Sequence, residues 1–223
     1  MAESSPPSRT IAVADLQWRL GRFGLWTKDL WSDPATQRKA VLTRFWHNAQ
    51  LPMHRHVGDE LLYMIEGCIS DESSTIYTGN VGYRPAGCVH SGDSRNGATV
   101  LGFFTGGLEA ADQIGDAPKT QVFQLSDIPW SEGMPGIRAK RIWSDKATGR
   151  FAVLSRFEPG AVLARHRHTG DELIFVIEGS TADEYGEVTA GNLNFRPEGC
   201  VHTVTSRNGA TVFNIVRGGS EPA

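Results

Sequence analysis

Six of the seven histidines in this chain fall into two matching sets. One is His54, His56 and His90; the other is His166, His168 and His202. His47 alone has no counterpart. In an extended strand, residues i and i+2 share a face, so His54 and His56 point the same way, as do His166 and His168. Glu60 follows His56 by four residues, and Glu172 follows His168 likewise. A turn through Val57-Gly58, or Thr169-Gly170, brings each carboxylate onto the next strand beside the imidazoles. The third histidine arrives after Pro-x-Gly-x-x-His, in Pro85, Gly87, His90 and in Pro197, Gly199, His202. Three neutral imidazoles and one carboxylate make a good site for a divalent first-row metal. The expected ligands are therefore His54, His56, Glu60 and His90, then His166, His168, Glu172 and His202, with one metal per domain. Zinc is the first choice, and iron, manganese and nickel suit the same donors. A lone histidine pair would read as ordinary satisfied polar residues; recurrence of the full pattern argues for the metal.

The histidines repeat because the chain repeats. WSDPATQRKAVLTRF at Trp31 to Phe45 returns as WSDKATGRFAVLSRF at Trp143 to Phe157, and SRNGATV at Ser94 returns at Ser206. The offset is 112 residues throughout, as from His54 to His166, and no gap is needed from Trp31 to Leu101. More than half of the roughly 70 paired positions are identical, well beyond chance self-similarity. Two homologous domains follow: 11–107 and 122–217, with residues 108–121 as linker. Helix signals are weak, and LEAADQI at Leu108 makes at most a turn or two. Short Val-, Ile-, Leu- and aromatic-rich segments broken by glycine and polar clusters indicate an all-β fold. Asn96-Gly97 and Asn208-Gly209 sit between strand-like runs, a type I′ hairpin signal.

These motifs resemble the cupins. HxHxxxE with Gly67 or Gly179 downstream looks like cupin motif one, and Gly-x5-Pro-x-Gly-x-x-His looks like motif two. The resemblance implies two tandem double-stranded β-helix (jelly-roll-like) barrels, each with its metal inside the wide end. Motif one usually opens with a glycine six residues before the first histidine. Gly160 fits, but the first copy has Asn48; Ser94 and Ser206 stand where motif two often closes with Asn. The short gap from Gly67 to Gly79 and the tryptophans Trp18, Trp31, Trp130 and Trp143 are similar to the cupin domain of ChrR-type anti-sigma factors. That resemblance implies zinc on the residues matching His54, His56, Glu60 and His90, and release of a sigma factor under oxidative stress. Its sigma-binding helical domain carries His-x3-Cys-x2-Cys, which nothing in this sequence matches.

Other repeated residues have plainer readings. Cys88 and Cys200 stand two residues before the third histidine; a redox thiol and a small buried cysteine are both open. Asp59 and Asp171 read as partners of a ligand histidine or as turn residues. Arg44, Arg156, Arg84 and Arg196 read as structural ion pairs, with a cavity-facing anion binder as the alternative. Arg55 and Arg167 face outward. Tyr63, Phe175, Tyr83 and Phe195 read as barrel core. Asp71-Glu72 and Asp183-Glu184 read as acidic turns.

Composition narrows the function classes. The chain has 223 residues, net charge −3, 39% hydrophobic residues and 25 glycines. It can bury a core and has no basic footprint for nucleic acid. No apolar run reaches the roughly 18 residues of a membrane span. Met1 to Thr10 reads as a floppy tail rather than a secretory signal. Three cysteines exclude a disulfide scaffold and fit the cytoplasm. Two functions remain: a regulatory metal-binding module whose partner is a sigma factor or another protein, and an Fe- or Mn-dependent dioxygenase or related enzyme for a small oxyacid or diketone. A binding protein for a small-molecule ligand, and a homodimer, stay open.

Overall fold

The computed structural model describes residues 5–223. Among them no α-helix forms; the one helical piece is a 3-10 turn, Val13–Asp15. No helix is long and apolar enough to cross a membrane. The all-β class expected from the sequence is what forms, as two eleven-stranded sheets.

After β1 (Arg9–Ile11), the first domain holds β2 (Arg19–Leu20), β3 (Leu25–Asp33), β4 (Arg38–Phe45), β5 (Ala49–His56) and β6 (Glu60–Ser70). It continues with β7 (Thr75–Tyr77), β8 (Val81–Arg84), β9 (Val89–Ser94), β10 (Ala98–Phe104), β11 (Leu108–Ala110) and β12 (Gln121–Phe123). The second holds β13 (Ser131–Glu132), β14 (Ile137–Asp145), β15 (Arg150–Phe157), β16 (Ala161–His168) and β17 (Glu172–Asp183). Then come β18 (Gly186–Thr189), β19 (Leu193–Arg196), β20 (Val201–Ser206), β21 (Ala210–Arg217) and β22 (Ser220–Pro222). The strand order is β11-β5-β9-β6-β10-β4-β3-β2 in the first and β13-β14-β15-β21-β17-β20-β16-β22 in the second, all antiparallel.

One long strand curls each sheet. The first half of β17, from Glu172 to Gly179, pairs with β21, while Ser180 to Asp183 pair with β18. In the first domain, β6 divides in the same way between β10 and β7. Gly67 and Gly179 stand at the change of partner with φ of 75° and 73°. A Cβ there would run into the carbonyl of Gly97 or Gly209, so only glycine fits. The curl encloses a core of Phe45, Leu62, Met64, Ile69, Ile76 and Val100 in the first domain. Phe157, Ile174, Val176, Val188, Val204 and Val212 do the same in the second. Burying each of these side chains contributes about 1.5–3 kcal/mol.

The compact units differ from the stretches 11–107 and 122–217. One is Leu16–Asp127; the other joins residues 5–15 to Ile128–Ala223. The segment read as a floppy tail is therefore structured from Ser5 onward, while residues 1–4 lie outside the described residues. β1 pairs with β19, and Val201 N–H donates to Ser5 Oγ at 2.7 Å. β12, expected to open the second domain, pairs with β8 of the first.

Two local expectations are corrected. Leu108 does not start a helical turn: Leu108–Ala110 pair with His56, Arg55 and His54, because an open strand edge offers more backbone hydrogen bonds than an isolated turn. Asn96-Gly97 and Asn208-Gly209 are not type I′ hairpins. Gly97 and Gly209 have positive φ but the asparagines do not, and β9 and β10 flank β6 instead of each other. By contrast, Asn48 takes φ 60°, close to the 81° of Gly160, so asparagine performs glycine's role at the start of motif one.

Candidate metal centres

Register places the histidines. β5 pairs with β9 so that His54 lies directly opposite His90, and β16 pairs with β20 so that His166 lies opposite His202. Each pairing slips by a bulge just before, between Leu51 and His54 or Leu163 and His166. Pro52 does not cause it, since Ala164 occupies the same position in the second copy. The turn to the glutamate strand is tight: a Cβ on Gly58 would stand 2.6 Å from the Thr105 carbonyl carbon.

Both sets converge. The ligand atoms of His54, His56 and His90, and of His166, His168 and His202, lie within 4.8 Å of one another. His56 Nε2 is 2.9 Å from His90 Nε2; His168 Nε2 is 2.9 Å, and His166 Nε2 3.1 Å, from His202 Nε2. The other ring nitrogens fix the tautomers. Nδ1–H of His54 donates to the Pro52 carbonyl and that of His166 to the Ala164 carbonyl, both at 2.9 Å. His90 Nδ1–H donates to the Ser91 carbonyl, and His202 Nδ1–H to Asp183 Oδ2 at 3.0 Å. His166 and His202 thus turn two Nε2 lone pairs toward each other at 3.1 Å. Lone pairs at that distance repel unless a proton or a cation lies between them. Burial disfavours the proton: it lowers His56 and His168 to about 4 and His90 to about 3, and moves His54 and His166 the same way. A divalent cation between the two nitrogens would satisfy both lone pairs.

The glutamates stand beside the clusters. Glu60 Oε2 is 3.7 Å from His56 Nε2 and Glu172 Oε2 is 3.8 Å from His168 Nε2. Both are buried, and each is held by an arginine: Arg84 Nη1 at 2.7 Å and Arg196 Nη1 at 3.1 Å. Burial alone would raise these carboxyls, but the guanidinium charge, the neighbouring imidazole and the hydrogen bonds together outweigh it and hold both below the usual range. Arg84 and Arg196 are thus structural ion-pair residues.

The remaining candidates occupy supporting places. Asp59 Oδ1 accepts the Ala86 N–H at 2.8 Å, and Asp171 pairs with Arg217, so both hold turns. Arg44 and Arg156 lie over Trp18 and Trp130. Arg55 and Arg167 are exposed. Tyr63 and Phe175 are core; Tyr83 and Phe195 are only half-buried, being covered from the strands β12 and β1. Cys88 and Cys200 are buried free thiols. Burial pushes Cys200 up to about 11 and Cys88 in the same direction, which keeps both thiols protonated.

Sequence reading missed the residues where the repeat fails. A pocket of about 390 Å³ opens onto His166, His168 and Glu172, and one of about 200 Å³ onto His54, His56 and Glu60. Asn214 lines the larger and donates to Glu172 Oε1 at 2.9 Å; Gly102 stands at the equivalent position. Phe104 narrows the smaller, lying parallel to His56 with centroids 6.4 Å apart, where the second copy has Val216. Asp183 was legible only as part of a turn, yet it orients His202. For Asn214 and Phe104, non-identity between the copies was the available signal.

The family model for the ChrR cupin-like domain matches the chain twice, at residues 7–108 and 118–220. No curated protein matches. Among solved structures, a putative dioxygenase from Nostoc punctiforme is similar with a TM-score of 0.76 at 14% identity, covering 96% of this chain and 82% of that one. A deletion mutant of Bacillus subtilis oxalate decarboxylase gives 0.72 at 16%, covering 98% and 79%. Another structure of that enzyme, from work on its Mn(II) centres, gives 0.71 at 17%, again covering 98% and 79%. At such identities the likeness is one of fold: two cupin barrels in one chain.

Proposed function

Because the chain belongs to the ChrR cupin-like family in both of its halves, we propose that it is a regulatory, metal-sensing bicupin holding one divalent cation per domain. His54, His56 and His90 hold the first and His166, His168 and His202 the second, with Glu60 and Glu172 as the fourth donors. The observation that carries this is the facing pair of Nε2 lone pairs on His166 and His202 at 3.1 Å, with both Nδ1 protons already committed. Zinc is the favoured ion, since four protein donors close a tetrahedral site. A bound divalent cation supplies Lewis acidity and, where the ion is redox-active, electron transfer.

The protein's own groups have definite roles. The Pro52 and Ala164 carbonyls and Asp183 fix the imidazole tautomers; Arg84 and Arg196 keep the glutamates ionised. Phe104 shields the first site. A sigma factor or another regulatory protein is the partner this reading calls for, and the stimulus is oxidative.

A second reading, an iron- or manganese-dependent dioxygenase or related enzyme, is favoured by the 390 Å³ pocket on the second cluster, within the size range of small-molecule sites. The similar oxalate decarboxylase has Mn(II) centres, which keeps manganese among the candidates.

Elemental analysis of protein purified without added metal tests both. Two ions per chain are expected, falling to about one in His54→Ala and in His166→Ala alike. Unchanged content in both variants would overturn the assignment. Zinc in both sites supports the sensor; iron or manganese with O2 turnover supports the enzyme.

A further inference from the structure

The inner wall of the second domain changes from apolar to charged toward its mouth. Ile137, Ala139 and Arg141 line the pocket from β14, two residues apart and so on one face. Ile137 is buried, whereas Arg141 is exposed. The Arg141 guanidinium lies over the Phe151 ring, 4.5 Å from its centroid. Among the described residues no carboxylate forms an ion pair with it. The other full charges of the pocket are paired with each other: Glu172 Oε2 lies 3.1 Å from Arg196 Nη1. Arg141 is therefore the uncompensated charge facing this space, and a cation on the histidines would add to it. Asn214 also leaves its Oδ1 buried without a partner.

The first domain differs at each of these points. Asp29 stands at the position of Arg141 and is taken by Arg19 at 3.0 Å. Gly102 replaces Asn214, and Phe104 fills space that Val216 leaves open. Lys39 does line that pocket, over Phe104, but its volume of about 200 Å³ lies below the range of about 300–1,000 Å³ usual for small-molecule sites.

We propose that the pocket of the second domain binds a small organic carboxylate. The carboxylate sits on Arg141 at the mouth, where a guanidinium steadied by an aromatic face offers a two-pronged donor. The apolar body lies along Phe151, Val153 and Val216, and an oxygen-bearing end, keto or hydroxyl, faces His166 and His168. This rests on the second reading above, in which the metal centre of that cluster stays open to the pocket.

The test is calorimetry on the full-length, zinc-loaded protein with keto acids from pyruvate to 5-oxohexanoate, each against its primary amide. At least one acid is expected to bind, with its amide about tenfold weaker or more. Arg141→Gln should weaken the acid by a similar factor without affecting the amide, Arg141→Lys should recover part of the loss, and metal content should stay at two per chain. No binding by any acid, equal binding of acid and amide, or indifference to Arg141→Gln would overturn the proposal while the metal reading stands. Wild-type protein that binds no divalent metal would overturn the metal reading and the proposal with it.

Discussion

The two histidine clusters share their strands, register and bulges, yet the carboxylate behind the third histidine behaves differently in each. In the first domain Asp71 Oδ1 is taken by the backbone and hydroxyls of Ser73 and Ser74, its Oδ2 accepts from Thr120 at 2.6 Å, and His90 Nδ1 turns to the Ser91 carbonyl. In the second, Tyr185 and Gly186 replace those serines. Asp183 pairs with Gly186 across the turn, and Asp183 Oδ2 accepts from both His202 and Ser8. Burial alone would raise Asp183, but the hydrogen bonds from His202, the Tyr185 N–H and Ser8 hold it at about 2. A carboxylate behind an imidazole makes it a stronger donor to a metal. What repeats builds a place for an ion; what does not repeat tunes that ion and the space before it.

The largest effect tests what the domains share. Glu60→Gln and Glu172→Gln each leave a buried arginine short of its main partner, and each should lose about 3–5 kcal/mol in urea unfolding of the metal-free protein. A loss under about 1 kcal/mol in either would mean that its arginine falls back on Asp71 or Asp183, which stand 3.7 and 3.8 Å away. The next effect tests the difference. Asp183→Asn should weaken zinc at the second site about 10- to 100-fold in competition with a chromophoric chelator, with Asp71→Asn leaving the first site within about twofold. Equal losses would erase the distinction. The smallest effect reaches one contact further out. Ser8→Ala should weaken the second site about two- to fivefold, with Thr120→Ala silent at the first. An unaltered second site would confine the role of Ser8 to holding its strand.

The copies explain how far the sequence could be read. Identity at His54, His56, His90 and their partners exposed the metal chemistry directly, because ligand type and two-residue spacing are local properties. Gly67 and Gly179 were visible as motif glycines, and the curl of β6 and β17 shows why they are required. Asn48 was a departure on paper but not in conformation. The Asn-Gly turns misled, because a turn motif does not encode which strand its neighbours join.

The sequence by itself determined the all-β class, the twofold repeat and the six converging imidazoles, since periodicity and spacing act within a few residues. Tertiary structure alone decided that residues 5–15 complete the second domain, that arginines hold the glutamates, and that Asp183 but not Asp71 reaches a histidine. Those pairings join side chains up to 184 residues apart, as in Thr10 to Asn194. Burial and register choose among the available partners there, and neither is a property of any short stretch of chain.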